Sequence, residues 1–94
     1  MMNLTDINII KQDERGTIYD CGKSKFISRH KGTISANHRH EDREIIYLVE
    51  GKVELTIGDE TKIVEAPIKI DIPAGEYHKL VAFTDISLVL DREH

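Results

Sequence analysis

The feature that most constrains this chain is a two-residue alternation of apolar and polar side chains, cut at intervals of roughly ten residues by turn formers. Successive side chains of an extended strand point to opposite faces, so such an alternation describes half-buried strands. It is clearest from Thr33 onward. Ile34, Ala36, His38 and His40 share one face of an extended segment. In Ile45–Val49, Ile46 and Leu48 oppose Tyr47 and Val49. Val53, Leu55 and Ile57 alternate with Lys52, Glu54 and Thr56; Gly58-Asp59-Glu60 signals a hairpin turn, and Thr61–Val64 returns. Ile68, Ile70 and Ile72 alternate with Lys69 and Asp71, Pro73-Ala74-Gly75 turns the chain, and Tyr77–Phe83 and Ile86–Leu90 complete the pattern.

The first thirty or so residues are less regular. Ile7, Ile9 and Ile10 fit either a short strand or a turn. Asp13-Glu14-Arg15-Gly16-Thr17 reads as a solvated turn before the first strand. Thr17–Asp20 is a short strand ended by Gly22, and Lys25–Arg29 is another, closed by Lys31-Gly32. Eight or nine short strands with no sustained helical spacing predict an all-β sandwich or barrel. Ninety-four residues support one core, so residues 1–94 are expected to form one domain: N-terminal strands over 1–31, the informative segment over 32–82, and a closing strand and tail over 83–94.

Charge excludes several classes of function. Residues 1–31 carry six basic and four acidic side chains, residues 32–94 seven and thirteen, for a net charge of −4. A nucleic-acid partner calls for a basic patch, and stacking on single strands calls for aromatic side chains; the chain has no Trp and two Phe. No apolar run approaches the ~20 residues of a membrane span, and no secretory leader is visible at the N-terminus. The single cysteine, Cys21, excludes an internal disulfide and suits a reducing cytoplasm. Cys21 is expected to be a small buried apolar residue rather than a reactive thiol.

The residues that suggest chemistry are His38, His40, Glu44 and His78. Histidines at i and i+2 of a strand project to one face and can hold one ion from one side. Imidazoles with one carboxylate suit Fe, Mn, Ni, Cu or Zn rather than the all-oxygen shells of calcium or magnesium. A lone strand histidine is more often an ordinary polar residue. Burying three imidazoles and a carboxylate together without an ion, however, is costly.

The spacing of these residues resembles the two sequence motifs of the cupin superfamily. The first reads Gly32, five residues, His38, one residue, His40, three residues, Glu44, six residues, Gly51. The second supplies Pro73, Gly75 and His78 at the family's spacing; Pro67 stands where the family has glycine, and Ala82 where it has asparagine. The resemblance implies a double-stranded β-helix, or jelly-roll barrel, holding one divalent transition-metal ion on His38, His40, Glu44 and His78. By alternation the pocket around it would be lined by Ile34, Ala36, Ile46, Leu48, Leu80 and Ala82, an apolar cavity without the charged groups that hold a phosphate. Arg29, Arg39, Arg43 and Lys79 could meet a substrate anion, with Arg39 and Lys79 out of phase with the ligands. The functions implied are a metal-dependent enzyme acting on a small organic molecule, with oxygenase-type chemistry favoured, a sugar or nucleotide-sugar isomerase or epimerase, or a binding module without turnover. A homodimer is expected, since edge strands on so short a chain are best covered by a second copy.

Overall fold

The alternating segments form ten strands and no helix in the computed structural model, which describes residues 2–39 and 41–93, with the side chains of residues 36–38 and 93 outside the description. They are β1 (Ile9–Asp13), β2 (Gly16–Cys21), β3 (Ser24–Arg29), β4 (Ile34–Arg39), β5 (Arg43–Glu50), β6 (Lys52–Ile57), β7 (Glu60–Glu65), β8 (Ile68–Ile72), β9 (Tyr77–Ala82) and β10 (Ile86–Glu93). All pairings are antiparallel. A six-stranded sheet runs β1-β2-β3-β10-β5-β8, and a four-stranded sheet runs β4-β9-β6-β7. From β3 onward the chain changes sheet at almost every connection, the β6–β7 hairpin excepted. This is the jelly-roll topology expected of the sequence.

The inner faces of the two sheets supply the core. Ile46, Leu48, Ile70, Ile72, Ile86 and Leu88 of the larger sheet bury against Val53, Leu55, Leu80 and Ala82 of the smaller. Full burial of each isoleucine, leucine or valine among them contributes roughly 1.5–3 kcal/mol. Tyr47 and Val49, on the opposite face of β5, remain exposed, as the alternation requires. Gly51 closes the turn into β6 at φ +100°, and a Cβ there would lie 2.5 Å from the Asp85 carbonyl oxygen. Only glycine meets both conditions.

Three expectations are corrected. Ile9 and Ile10 begin a strand, with Ile7 before it, so Asp13–Thr17 spans the β1–β2 turn rather than preceding the first strand. Cys21 is exposed at the end of β2, because strands beyond the smaller sheet's width have little to bury against. Ile34 is exposed rather than inward. The reason is a bulge: β4 pairs Ser35 with Leu80 and His38 with His78, so three steps on β4 oppose two on β9. The extra residue inverts the phase, and Ser35 takes the inward position that unbroken alternation gives to Ile34.

Candidate metal centre and its cavity

Glu44 and His78 meet between the sheets. Glu44 begins the inward set of β5 in the larger sheet, and His78 precedes Leu80 by two on β9 of the smaller. Their residues are 2% and 0% exposed, and His78 Nε2 lies 3.3 Å from Glu44 Oε1. The second carboxylate oxygen, Oε2, is 3.6 Å from Nε of the partly exposed Arg92. Arg92 is the register partner of Glu44 across β5 and β10.

The tautomer of His78 follows from its other nitrogen. Nδ1 lies 3.4 Å from the Glu76 carbonyl oxygen, which can only accept. Nδ1 therefore donates there, and in the neutral tautomer so fixed Nε2 would present its lone pair toward Glu44. Two electron-pair donors then face each other at 3.3 Å. Ligands bound ~2.1 Å from one ion, at angles between octahedral and tetrahedral, stand about 3.0–3.4 Å apart. The two donors fit a shared divalent cation, and the carbonyl behind His78 is the kind of partner that orients a metal-binding imidazole.

Of the other expected ligands, the backbone register places His38 opposite His78 on adjacent strands. The side chain of His38 and the whole of His40 lie outside the described residues, and among the described residues no group of three or more His, Cys, Asp or Glu clusters as a metal site.

Beside Glu44 opens a cavity of about 220 Å³, lined by Ile18, Ile27, Ile46, Leu80, Leu88 and Leu90 together with Ser35, Glu44, Arg29 and Arg92. Of the expected lining residues, Ile46 and Leu80 stand on it, Leu48 and Ala82 are buried in the core beside it, and Ile34 faces away. Ala36 has its side chain outside the description. The expectation of a wall without charged groups is corrected by Arg29 and Arg92. Arg92 lies in the polar run Asp91-Arg92-Glu93, which reads as a tail in sequence. Extending the alternation of Ile86, Leu88 and Leu90 by one step finds it. The other cations named in advance are elsewhere: Arg39 is exposed and donates to the Gly75 carbonyl at 3.1 Å, exposed Arg43 lies 2.6 Å from Asp71, and Lys79 is half-buried on β9.

The chain matches the Cupin domain family over residues 26–90. It belongs to the cupin family. Among solved structures it is similar to an RmlC-like cupin from Shewanella frigidimarina, with TM-score 0.77 and 19% identity over 89% of this chain and 80% of that one. It is also similar to the capsular polysaccharide assembling protein CapF from Staphylococcus aureus (TM-score 0.76, 21% identity, 93% of this chain, 28% of that one). A salicylate 1,2-dioxygenase from Pseudoaminobacter salicylatoxidans, a W104Y mutant, matches at TM-score 0.67 and 21% identity, over 71% of this chain and 20% of that one. The chain thus spans less than a third of the latter two proteins. No curated protein sequence matches it significantly. No helix is long and apolar enough to cross a membrane.

Proposed function

We propose that this cupin binds one divalent transition-metal ion through His38, His40, Glu44 and His78 and acts as a metal-dependent enzyme on a small organic molecule held in the adjoining cavity, with oxygenase-type chemistry favoured. The observation that carries the reading is the 3.3 Å approach of Glu44 and His78 across the two sheets, both buried and both turned toward one point. When bound, a divalent ion supplies Lewis-acid polarisation of a carbonyl or enolate and, if it is iron, activation of dioxygen. The chain's own residues do the rest. Glu76 holds the His78 tautomer through its carbonyl, Arg92 braces the far oxygen of Glu44, and the isoleucine and leucine walls exclude water from the substrate's apolar part. The presence of Arg29 and Arg92 also favours a second reading, isomerisation or epimerisation of a sugar or nucleotide sugar, whose phosphates would need cations. The cavity's 220 Å³ weighs against it, being below the roughly 300–1,000 Å³ that encloses drug-sized ligands.

The protein is proposed to work as a homodimer in the cytoplasm. Ile9 and Ile10 on edge strand β1 are 52% and 51% exposed, the kind of surface a second copy covers. A lone thiol on the surface is stable in a reducing compartment.

The deciding experiment is metal analysis of the purified protein and of protein reconstituted anaerobically with Fe(II), Mn(II), Ni(II), Cu(II) and Zn(II), followed by turnover assays on phenolic and carbonyl compounds. Near-stoichiometric metal, lost in His78→Ala and Glu44→Gln, with consumption of a compound, is the expected result. Less than about a tenth of an equivalent of every metal after reconstitution rejects the site. Metal with ligand-induced stabilisation and no consumption replaces the enzyme by a binding module.

A further inference from the structure

Arg29 ends β3 on the inner face of the larger sheet, two residues after Ile27, and is 7% exposed. It lines the cavity that Glu44 also lines. Along β10, Arg29 pairs with Ile86 and Glu44 with Arg92, six positions apart, or roughly 20 Å of strand. The two charged groups therefore enter the cavity from opposite ends, with Ile18, Ile27, Ile46, Leu80, Leu88 and Leu90 between them.

A guanidinium carries five N–H donors and no acceptor. Arg29 Nη1 donates to the Ser28 carbonyl at 3.1 Å, while Nε is buried with no acceptor. Among the described residues no carboxylate forms a salt bridge with it. Asp13, which acts on it electrostatically from β1, is engaged elsewhere: its Oδ1 accepts from the Arg15 backbone N–H at 2.9 Å and its Oδ2 from Arg15 Nη2 at 3.2 Å. Burial, with the neighbouring charge of Arg15, lowers the pKa of Arg29. A buried cation lacking an anion is costly, and the cost falls when a ligand brings the anion.

We propose that Arg29 receives the carboxylate of a small, largely apolar acid whose body lies along the apolar walls that lead toward Glu44. Charge matching sets the class of ligand. Arg92 already faces Glu44 at 3.6 Å, which among the described residues leaves Arg29 as the cation of the cavity without a carboxylate. One such cation balances a monoanion, whereas a phosphate dianion would keep one charge unneutralised among apolar walls. A guanidinium fork also fits a carboxylate through two parallel N–H···O bonds. The apolar walls match a hydrocarbon or aromatic body.

This inference rests on the cavity being the ligand site of the proposed enzyme, and its test keeps the two apart. Binding of benzoate, benzamide and inorganic phosphate is measured by calorimetry on the metal-free protein and again after metal loading. Benzoate is expected to bind the metal-free wild type about tenfold or more tightly than either alternative. Arg29→Met should lose that binding by a similar factor and keep the wild-type metal stoichiometry, and Arg29→Lys should fall between the two. Benzamide binding as tightly as benzoate, phosphate binding more tightly, no benzoate binding to wild type, or equal affinities in Arg29→Lys and Arg29→Met each overturns the proposal. Should Arg29→Met fail to fold by circular dichroism, the wild-type selectivity and the position of Arg29→Lys between wild type and benzamide-level binding decide the matter. Failure of wild type to take up metal rejects the metal centre and leaves the benzoate measurements on metal-free protein standing.

Discussion

The strands from β4 to β10 and the hairpin of β1 and β2 are made of similar residues and bury very different amounts of them. In the first region each crossing between sheets gives a strand's inner face an opposing sheet, and Leu48, Val53, Ile72, Leu80 and Ala82 are almost wholly buried. In β1, neighbouring Ile9 and Ile10, at the irregularity in its pairing with β2, are both about half exposed. Neither face of β1 meets an opposing layer, because the larger sheet has six strands and the smaller four. An apolar side chain contributes to stability according to what lies opposite it, and the topology decides that as much as the side chain does.

The sharpest way to break this contrast is at the Glu44–His78 contact inside the first region. Truncating a fully buried side chain leaves a cavity between the sheets, at roughly 2–5 kcal/mol. His78→Ala, in metal-free protein, is expected to lose stability on that scale in urea denaturation and to lose metal uptake as well. A loss below about 1 kcal/mol would mean that the carboxylate is rehydrated and the inter-sheet space is wetter than its burial implies. Next in size is the apolar wall. Leu80→Ala should cost about 2–5 kcal/mol, through lost transfer energy and a residual cavity beside the ligand space. A cost under about 1 kcal/mol would show that the sheets collapse onto the vacated volume.

The boundary between the regions is tested at Gly16, the first residue of β2, which pairs with Arg29. It adopts φ +144°, and a Cβ there would lie 2.0 Å from the Ser28 carbonyl oxygen. Gly16→Ala must push β2 away from β3 and strain the backbone, at an expected cost of about 1–3 kcal/mol. A larger loss, with benzoate affinity reduced too, would tie β2 to the cavity more closely than its position at the margin suggests. By contrast, Ile10→Ser on the β1 edge should change monomer stability by less than about 0.5 kcal/mol. Its effect should appear in sedimentation, as a shift toward monomer if β1 covers a second copy.

The same contrast governs what could be read from sequence. Where two sheets enclose a strand, burial imposes alternation, and the strand pattern of β5, β6 and β9 was legible with its inward set, although Ile45 of β5 is buried out of phase. Ile7, Ile9 and Ile10 could not be resolved between strand and turn because an edge strand open on both faces imposes no phase. The bulge in β4 escaped for a different reason. Alternation points Ile34 inward, and nothing in the residue types marks the extra step that turns Ser35 inward instead. For the site, spacing found Glu44 and His78, since the family pattern encodes their convergence. Arg29 stood among the candidate cations, but nothing in its residue type separates it from Arg39, Arg43 and Lys79; its place at the end of an inward row does. Arg92 carries no pattern of its own, because it ends an inward row inside a polar run that reads as a tail.

The smallest expected effect lies at the tip of the β1–β2 hairpin, where Asp13 caps the turn with its carboxylate. The Arg15 backbone N–H and then the Arg15 guanidinium hold its pKa below the ordinary value of 3.8. A carboxyl depressed in the folded state stabilises the fold above its unfolded pKa, and that contribution vanishes as the pH falls through the folded value. Asp13→Asn should therefore melt slightly below wild type at neutral pH, and the two curves should converge below about pH 4. The carboxylate is solvent-accessible and its ion pair is screened, so added salt should shrink the neutral-pH difference as well. A difference that persists at pH 2 would show that the Asx-type turn geometry, which asparagine alters without a change of charge state, carries the effect instead. A difference at neutral pH as large as that of Leu80→Ala would erase the distinction between the two regions, because the hairpin would then share the stability of the enclosed core.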